Sequence, residues 1–196
     1  MENRRKNNQH EANMPKVIGL KPAWNYTWAA QTPRELQPSH IDFLPMIWGY
    51  YGIDGLNKSL ESIKDQNPTL LLGFNEPDHT DQSNLPVDKV VKVWPRLEST
   101  GIPLVSPSCA NPLGPWMEEF MKEVAEKNLR VDVIGVHDYG GGNPEQFKKM
   151  LQTVHHKYKR PILITEFAVA DWKAKQVEDN RFKPAHVLAF MKAVLP

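Results

Sequence analysis

Short apolar runs recur along this chain at intervals of about 30 residues, and this period is the feature that most restricts its fold. The runs begin near residues 17, 41, 69, 103, 131 and 161. A period of this size is typical of a unit that contains one strand and one helix. Alternating strands and helices predict an α/β fold with a parallel sheet.

The segments between the runs carry apolar residues at helical spacing. Helices are predicted over residues 59–65, over about 88–99, from Pro115, after the glycine triplet at 140–142, and from Pro184. A proline in the first turn of a helix is harmless, because its missing N–H group would have no partner there. Pro95 lies inside the second predicted helix and is expected to kink it or to end its regular part.

Two sheet architectures fit this order of elements. A closed (β/α) barrel has eight units and usually about 250 residues, whereas six units are visible in these 196 residues. The sheet is therefore open, or two units are absent from the chain, or irregular segments hide further strands. A doubly wound sheet is the rival, but the GxGxxG turn that usually follows its first strand is absent. We therefore expect a TIM-type (β/α) barrel, contracted or incomplete, over residues 16–196.

Charge and composition argue against two classes of partner, nucleic acids and membranes. The 24 Lys and Arg residues against 23 Asp and Glu residues leave a net charge of +1, so no nucleic-acid partner is expected. No apolar run approaches the roughly 18 to 20 residues of a membrane span, so no membrane partner is expected either.

Residues 1–15 are polar and predict a disordered tail without the apolar segment of a secretory signal. Cys109 is the single cysteine, so no internal disulfide can support the core.

Two of the apolar runs lead into a glutamate. The run at residues 70–74 has no alternation, which indicates a strand buried on both faces. Pro77 then ends this strand and is expected to hold Glu76 in an extended conformation. The run at 162–165 leads into Glu166 in the same way. Barrel enzymes keep their chemistry at the carboxyl ends of the strands, and glycoside hydrolysis requires two carboxylates. Glu76 and Glu166 are therefore the candidate catalytic pair.

Further candidate binding residues follow the predicted strands. Aromatic rings pack well on the C–H faces of sugars, and the aromatic candidates for such a platform are Trp24, Tyr26, Trp28, Trp48 and Trp172. Asn75 is a candidate for a hydrogen bond to the sugar 2-hydroxyl, with a loop-capping role as the alternative. His137 and Tyr139 end the fifth run and are expected to orient Glu166 or to contact the sugar. Trp94 and Trp116 lie on helix stripes, which assigns both to the core.

Neither a metal nor a cofactor is expected. His79, His137 and Asp138 are the polar side chains that could be imagined as ligands, but no chelating spacing such as HExxH is present. His155 and His156 are adjacent in a predicted helix, so their side chains point to different sides.

The segments GFNEPDHTDQSN, Trp94-Pro95, LVSPS, VHDYG and ILITEFA, in this order and spacing, resemble glycoside hydrolase family 128, the endo-β-1,3-glucanases of a clan with barrel folds and paired glutamates. The resemblance implies that Glu76 is the acid/base and Glu166 the nucleophile of a retaining mechanism. It implies a β-glucan oligosaccharide or polysaccharide as the partner, and a polymeric substrate of this kind suggests an extracellular site of action.

The resemblance also implies which strands are missing. Members of this clan place the acid/base after the fourth barrel strand and the nucleophile after the seventh. Glu76 follows the third visible run and Glu166 the sixth, which preserves the separation. The absent strands would then be the first and the eighth, which are neighbours in a closed barrel, so the barrel is expected to be open at a single seam.

The expected activity is endo-acting hydrolysis of β-1,3-glucan with retention, and two alternatives remain. A non-catalytic glucan-binding protein would keep the aromatic platform without the geometry for chemistry. A partial barrel would work only after pairing with another chain. The open seam exposes two parallel edge strands, which favours self-association.

Overall fold

The computed structural model describes residues 19–32 and 37–195, which form an α/β fold of short strands and longer helices. The strands are β1 (Trp24–Asn25), β2 (Asp42–Phe43), β3 (Leu71–Leu72), β4 (Leu104–Val105), β5 (Ile134–Asp138) and β6 (Ile162–Phe167). The helices are α1 (Ile53–Lys64), α2 (Val87–Glu98), α3 (Pro115–Glu126), α4 (Pro144–Tyr158) and α5 (Pro184–Val194), with a 3₁₀ turn at Val177–Asp179. No helix in these two ranges is long and apolar enough to cross a membrane.

The six strands run parallel and follow one another in chain order. Ladders pair β1 with β2, β3 with β4, and β5 with β6. Single bridges from Met46 to Leu72 and from Val105 to Val133 connect these pairs. The parallel α/β arrangement predicted from the sequence period is confirmed. Within the described residues no ladder or bridge joins β1 to β6, so backbone pairing does not close the sheet into a barrel.

Consecutive residues of the central strands point to opposite sides of the sheet. Leu71 and Leu104 pack with the helices, whereas Leu72 and Val105 pack on the other side. All four side chains are fully buried. Burial on both faces, predicted for the run at residues 70–74, is therefore confirmed for β3, and β4 is buried in the same way.

A small cluster on the side away from the helices shows that the sheet is strongly curved. This inner cluster consists of Leu44, Met46, Leu72 and Val105. Trp24 of β1 and Leu163 of β6 both pack against it, although they belong to the first and last strands. A flat sheet of six strands would separate those strands by roughly 24 Å. The strands therefore curve around the inner cluster.

The first strand forms later in the chain than predicted. Of the run that begins near residue 17, residues 17 and 18 lie outside the described part of the chain, as does the tail at residues 1–15. Gly19 and Leu20 are helical, and Leu20 is 80% exposed. β1 forms at Trp24–Asn25 instead, because the Trp24 side chain reaches the inner cluster.

Most predicted helices are present, with two differences in their bounds. α1 begins at Ile53 rather than near residue 59, because Leu56 extends the buried stripe of this helix by one turn. α2 continues past Pro95 to Glu98, since Trp94 and Leu97 anchor its last turn in the core. α3 and α5 begin at their prolines as predicted.

Trp94 is the largest side chain of the core and is fully buried. It packs edge-to-face on Phe120 at 5.2 Å, and its indole N–H donates to the carbonyl of Arg130 at 2.8 Å. We expect Trp94→Ala to lower the free energy of unfolding by about 3–5 kcal/mol in urea denaturation, because the cavity cannot collapse fully. Trp172→Ala is the matched control, since Trp172 is 77% exposed. An equal loss in both variants would contradict the assignment of Trp94 to the core.

Candidate active site

Glu76 and Glu166 meet at the carboxyl ends of β3 and β6. One carboxylate oxygen of each glutamate and one ring nitrogen of His137 all lie within 4.8 Å of one another. The two carboxylate side chains are each only 12% exposed. They border an open cleft of about 800 Å³. The curvature of the sheet thus brings together two glutamates that are far apart in the chain.

The backbone around Glu76 is unusual. Its φ is 38°, which lies in the left-handed region and not in the extended region expected for a residue before proline. The amide of Glu76 donates to the carbonyl of Ser108 at 2.8 Å, and this bond ties the strained residue to the segment after β4. Strained backbone of this kind persists where the surrounding structure holds it, and it is common at functional sites.

His137 lies between the two glutamates. Its Nδ1 is 2.7 Å from Oε1 of Glu76, and its Nε2 is 3.6 Å from Oε1 of Glu166. The side chain is 1% exposed, and Nε2 has no hydrogen-bond partner among the described residues. The β5–β6 register shifts after Val136, so that His137 pairs with Glu166 and Thr165 is the additional residue of β6. This bulge therefore places Glu166 beside His137.

Three side chains donate hydrogen bonds to Glu166. Oε1 accepts from the hydroxyl of Tyr26 at 2.8 Å and from the indole N–H of Trp28 at 2.7 Å. Oε2 accepts from the hydroxyl of Tyr139 at 2.6 Å. Burial acts to raise the pKa of Glu166, but these three donors and the nearby His137 outweigh it and hold the pKa below the ordinary value. Glu166 is therefore a carboxylate at neutral pH.

The two tyrosines remain protonated donors. Burial raises the pKa of both Tyr26 and Tyr139, and the hydrogen bond that each makes to Glu166 raises it further. The hydroxyl oxygen of Tyr26 also lies 3.2 Å from the carbonyl oxygen of Thr165, so its single hydrogen is shared between this carbonyl and Glu166. Tyr26 follows β1 directly, and its side chain thus contacts β6.

A buried hydroxyl pair connects the supports of the two glutamates. Ser108 Oγ lies 3.1 Å from Thr165 Oγ1, the hydroxyl of the residue before Glu166. The carbonyl of the same serine accepts the amide of Glu76. Gly135 faces this pair, and a Cβ there would lie 2.2 Å from Ser108 Oγ. A glycine at this position therefore leaves the space that the serine side chain occupies.

The structure distributes the predicted binding residues over three places. Those that border the cleft are Trp28, Trp48, Asn75, Tyr139 and Trp172. Tyr26 and His137 lie behind the carboxylates and contact them directly. Trp24 is outside the cleft, because its ring packs against the inner cluster.

Asn75 is 3% exposed but borders the cleft. Its Nδ2 donates to Oε1 of Gln82 at 3.1 Å, while its Oδ1 is buried and has no hydrogen-bond partner among the described residues. A buried amide that keeps a free polar atom at a cleft is suited to binding a ligand hydroxyl.

Sequence reasoning did not identify several residues that border the cleft: His79, Asp81, Gln82, Ala110 and Gly140. They lie in loops that have no periodic pattern. Asp78 folds one of these loops back, because its carboxylate accepts the amides of Ala110 at 2.8 Å and Asn111 at 2.9 Å. For His79, Asp81 and Gln82 the sequence did offer an indication, because they follow Glu76 closely within the segment GFNEPDHTDQSN.

The three groups that lie closest together in the site already make hydrogen bonds within the protein. Glu76, His137 and Glu166 are close enough together to hold an ion. The oxygens of Glu166, however, already accept three hydrogen bonds, and Nδ1 of His137 is engaged with Glu76. The donor set therefore fits a pair of carboxylates that transfer protons and attack carbon.

Known proteins with a similar sequence and fold are glycoside hydrolases. A family profile described as the glycosyl hydrolase catalytic core matches residues 5–196. A family 128, subgroup I endo-β-1,3-glucanase from Amycolatopsis mediterranei, solved with laminaritriose, is 34% identical, with a TM-score of 0.77 over 88% of this chain and 72% of that one. The chain belongs to glycoside hydrolase family 128. Variants of the Amycolatopsis enzyme with one or the other of two glutamates replaced are solved with laminarioligosaccharides.

Other members of family 128 are similar at lower identity. A subgroup III curdlan-specific exo-β-1,3-glucanase from Blastomyces gilchristii is 26% identical, with a TM-score of 0.70 over 89% of this chain and 74% of that one. A subgroup II endo-β-1,3-glucanase from Pseudomonas viridiflava is 26% identical, with a TM-score of 0.66 over 86% and 70% of the two chains. Comparison with curated protein sequences finds no match.

Proposed function

We propose that this protein hydrolyses internal bonds of β-1,3-glucan with retention of configuration, with Glu76 as the acid/base and Glu166 as the nucleophile. The observation that carries the proposal is the pair of carboxylates within 4.8 Å, which border one aromatic-lined cleft and lie on either side of the buried His137 ring.

The distance between the glutamates favours retention. Retaining glycosidases place their two carboxyl groups about 5–5.5 Å apart, whereas inverting enzymes need about 6.5–9.5 Å to admit a water molecule. One oxygen of Glu76 and one of Glu166 lie within 4.8 Å of each other, which is closer to the separation of retaining enzymes than to that of inverting ones.

The two glutamates differ in their surroundings, which supports different roles. Glu166 is ionised and held by three donors, so its free lone pair attacks the anomeric carbon. The glycosidic C–O bond breaks as Glu76 protonates the leaving oxygen. Glu76 then takes a proton from water, which attacks the anomeric carbon and releases Glu166.

The cleft supports a glucan as the substrate. Trp28, Trp48 and Trp172 border it and offer ring faces to sugar C–H groups. The Asn75 side chain borders the cleft and is placed to bind the 2-hydroxyl of the sugar next to the scissile bond. Tyr139 borders the same side, while Tyr26 and His137 serve the carboxylates rather than the sugar.

Similarity to the relatives favours endo over exo action. Identity is 34% to the Amycolatopsis endo-enzyme and 26% to the Blastomyces exo-enzyme. An endo-acting enzyme also requires a cleft through which a polymer can pass, and the present cleft is open to solvent.

We infer that the sheet is a TIM-type barrel with one open seam between β1 and β6. Packing of Trp24 and Leu163 on one inner cluster supports this, as does the hydrogen bond from Tyr26 to Thr165 across the gap. Self-association through these edge strands stays a prediction, which a mass measurement in solution would check.

The test is to incubate the chain with laminarihexaose in water enriched in ¹⁸O and to follow products by mass spectrometry and proton NMR. We expect several shorter labelled products, with the β-anomer appearing first because retention preserves the β-configuration. A first-formed α-anomer would contradict the retaining role of Glu166. Glucose as the sole early product would contradict endo action. Binding without any product would favour a non-catalytic glucan-binding protein.

A further inference from the structure

The two oxygens of Glu166 are not equivalent. Oε1 accepts two hydrogen bonds, from Tyr26 and Trp28, whereas Oε2 accepts one, from Tyr139. Each carboxylate oxygen offers about two lone-pair sites. Counting the bonds from the part of the chain that the structure describes, both sites of Oε1 are occupied, and Oε2 keeps one that is free to form a bond.

The backbone of Trp28 is strained in a way that serves this contact. Its φ is 54°, and a bulky residue rarely adopts the left-handed region. The side chain is 53% exposed, so burial of the ring in a core does not explain the conformation. The specific contacts of the ring are its N–H bond to Glu166 and an edge-on contact with Tyr26 at 5.2 Å. Strain held at a functional site indicates a defined role for the residue.

We propose that Trp28 is a positioning residue for Glu166: its indole N–H, together with the Tyr26 hydroxyl, holds Oε1 as the non-attacking oxygen and leaves Oε2 to attack the anomeric carbon. The inference rests on the proposed function of Glu166 as nucleophile. It assigns to Trp28 a role beyond that of a sugar platform.

The assignment has a consequence for both steps of the reaction. When Oε2 bonds to the anomeric carbon, the glycosidic C–O bond breaks and its electron pair goes to the oxygen that Glu76 protonates. Oε1 becomes the carbonyl oxygen of the glycosyl ester and keeps its two donors. In the second step these donors stabilise the carboxylate as it leaves, so water attack is faster.

Other groups that face Glu166 must be separated from Trp28 in any pH experiment. Tyr26 approaches Glu166 from the segment after β1, and Glu76 approaches it from the segment after β3. His137 and Asp138 lie in β5, and Tyr139 follows this strand directly. Trp28 itself does not titrate, so its replacement changes the pKa of Glu166 without removing a titratable group.

The first test observes the hydrogen bond without relying on activity. The chain has six tryptophans, whose indole N–H groups can be labelled with ¹⁵N and observed by NMR. The signal that disappears in Trp28→Phe is that of Trp28. We expect this N–H signal to lie downfield and to move with pH as Glu166 is protonated, and Glu166→Gln to abolish the movement. If the pH dependence of the Trp28 N–H signal were the same in Glu166→Gln as in the unchanged chain, the proposal would be overturned, whether or not the chain hydrolyses glucan.

The second test uses the pH dependence of kcat/KM. Trp28→Phe keeps an aromatic face but loses the N–H donor, so ionised Glu166 loses stabilisation and its pKa rises. We expect the acid limb to move up by about one pH unit, with kcat falling more than KM changes. Trp48→Phe, which changes another cleft tryptophan without a bond to Glu166, should leave the acid limb in place. A higher KM with an unmoved acid limb in Trp28→Phe would assign Trp28 to sugar binding alone.

Discussion

Glu166→Gln is expected to lower kcat/KM for laminarihexaose by roughly 10⁴-fold or more, since a neutral amide cannot displace the leaving sugar. Glutamine has the same shape as glutamate, and its oxygen still accepts from Tyr26 and Trp28. The fold should therefore persist, and an unchanged melting temperature would separate the loss of chemistry from unfolding.

Glu76→Gln distinguishes the two proposed roles. Hydrolysis of laminarihexaose should fall by a comparable factor, because its leaving oxygen needs a proton. An aryl β-glucoside oligomer with an acidic phenol needs little protonation, so this variant should form the glycosyl ester from it and stall. Glu166→Gln should form no ester from either substrate.

The control for both glutamate variants is Glu61→Gln, because Glu61 is exposed on α1 and is not one of the residues that border the cleft. Its activity should match that of the unchanged chain. Retained hydrolysis of laminarihexaose in Glu166→Gln would refute its assignment as nucleophile. If the glycosyl ester accumulated in Glu166→Gln and not in Glu76→Gln, the two roles would be exchanged.

His137→Ala is expected to lower kcat/KM by about 10²- to 10³-fold, since one imidazole contacts the acid/base directly and lies beside the nucleophile. Its removal leaves the Glu76 carboxylate without its ring partner and opens a cavity behind both glutamates. Some loss of stability should accompany the change, because the side chain is fully buried.

Two further variants separate positioning from folding. In His137→Asn the side-chain amide can make the hydrogen bond to Glu76 that Nδ1 of His137 makes. We therefore expect this variant to be more active than His137→Ala. His156→Ala removes an exposed histidine of α4 and should leave activity and melting temperature unchanged. Equal activity in the alanine and asparagine variants would show that the contact with Glu76 does not position the acid/base.

The elements that could be predicted from sequence are those governed by local patterns. The parallel α/β order follows from the period of apolar runs, and the starts of α3 and α5 follow from prolines that only a first helical turn accepts. Glu76 and Glu166 were recognisable because each follows an apolar run, at a point where a carboxylate has no reason to be part of the core.

The parts of the site that sequence did not predict depend on side chains that meet across the curved sheet. Tyr26 and Trp28 were expected to bind sugar, yet both donate to Glu166, which lies nearly 140 residues further along the chain. The left-handed backbone of Glu76 contradicts the local preference of a residue before proline, because a bond to Ser108 holds it. Contacts of this kind do not affect the spacing of apolar residues along the sequence, so they cannot be predicted from it.

The sequence by itself determined the strand order, most helices, the two carboxylates and the family, since apolar spacing, proline position and short motifs are local properties of the chain. Tertiary structure decided which groups surround each carboxylate. The curvature of the sheet brings β1 to β6, and the bulge at Thr165 sets Glu166 beside His137. The physical reason is that hydrogen bonds between distant segments depend on angles and distances of a few tenths of an ångström, which only the packed core establishes.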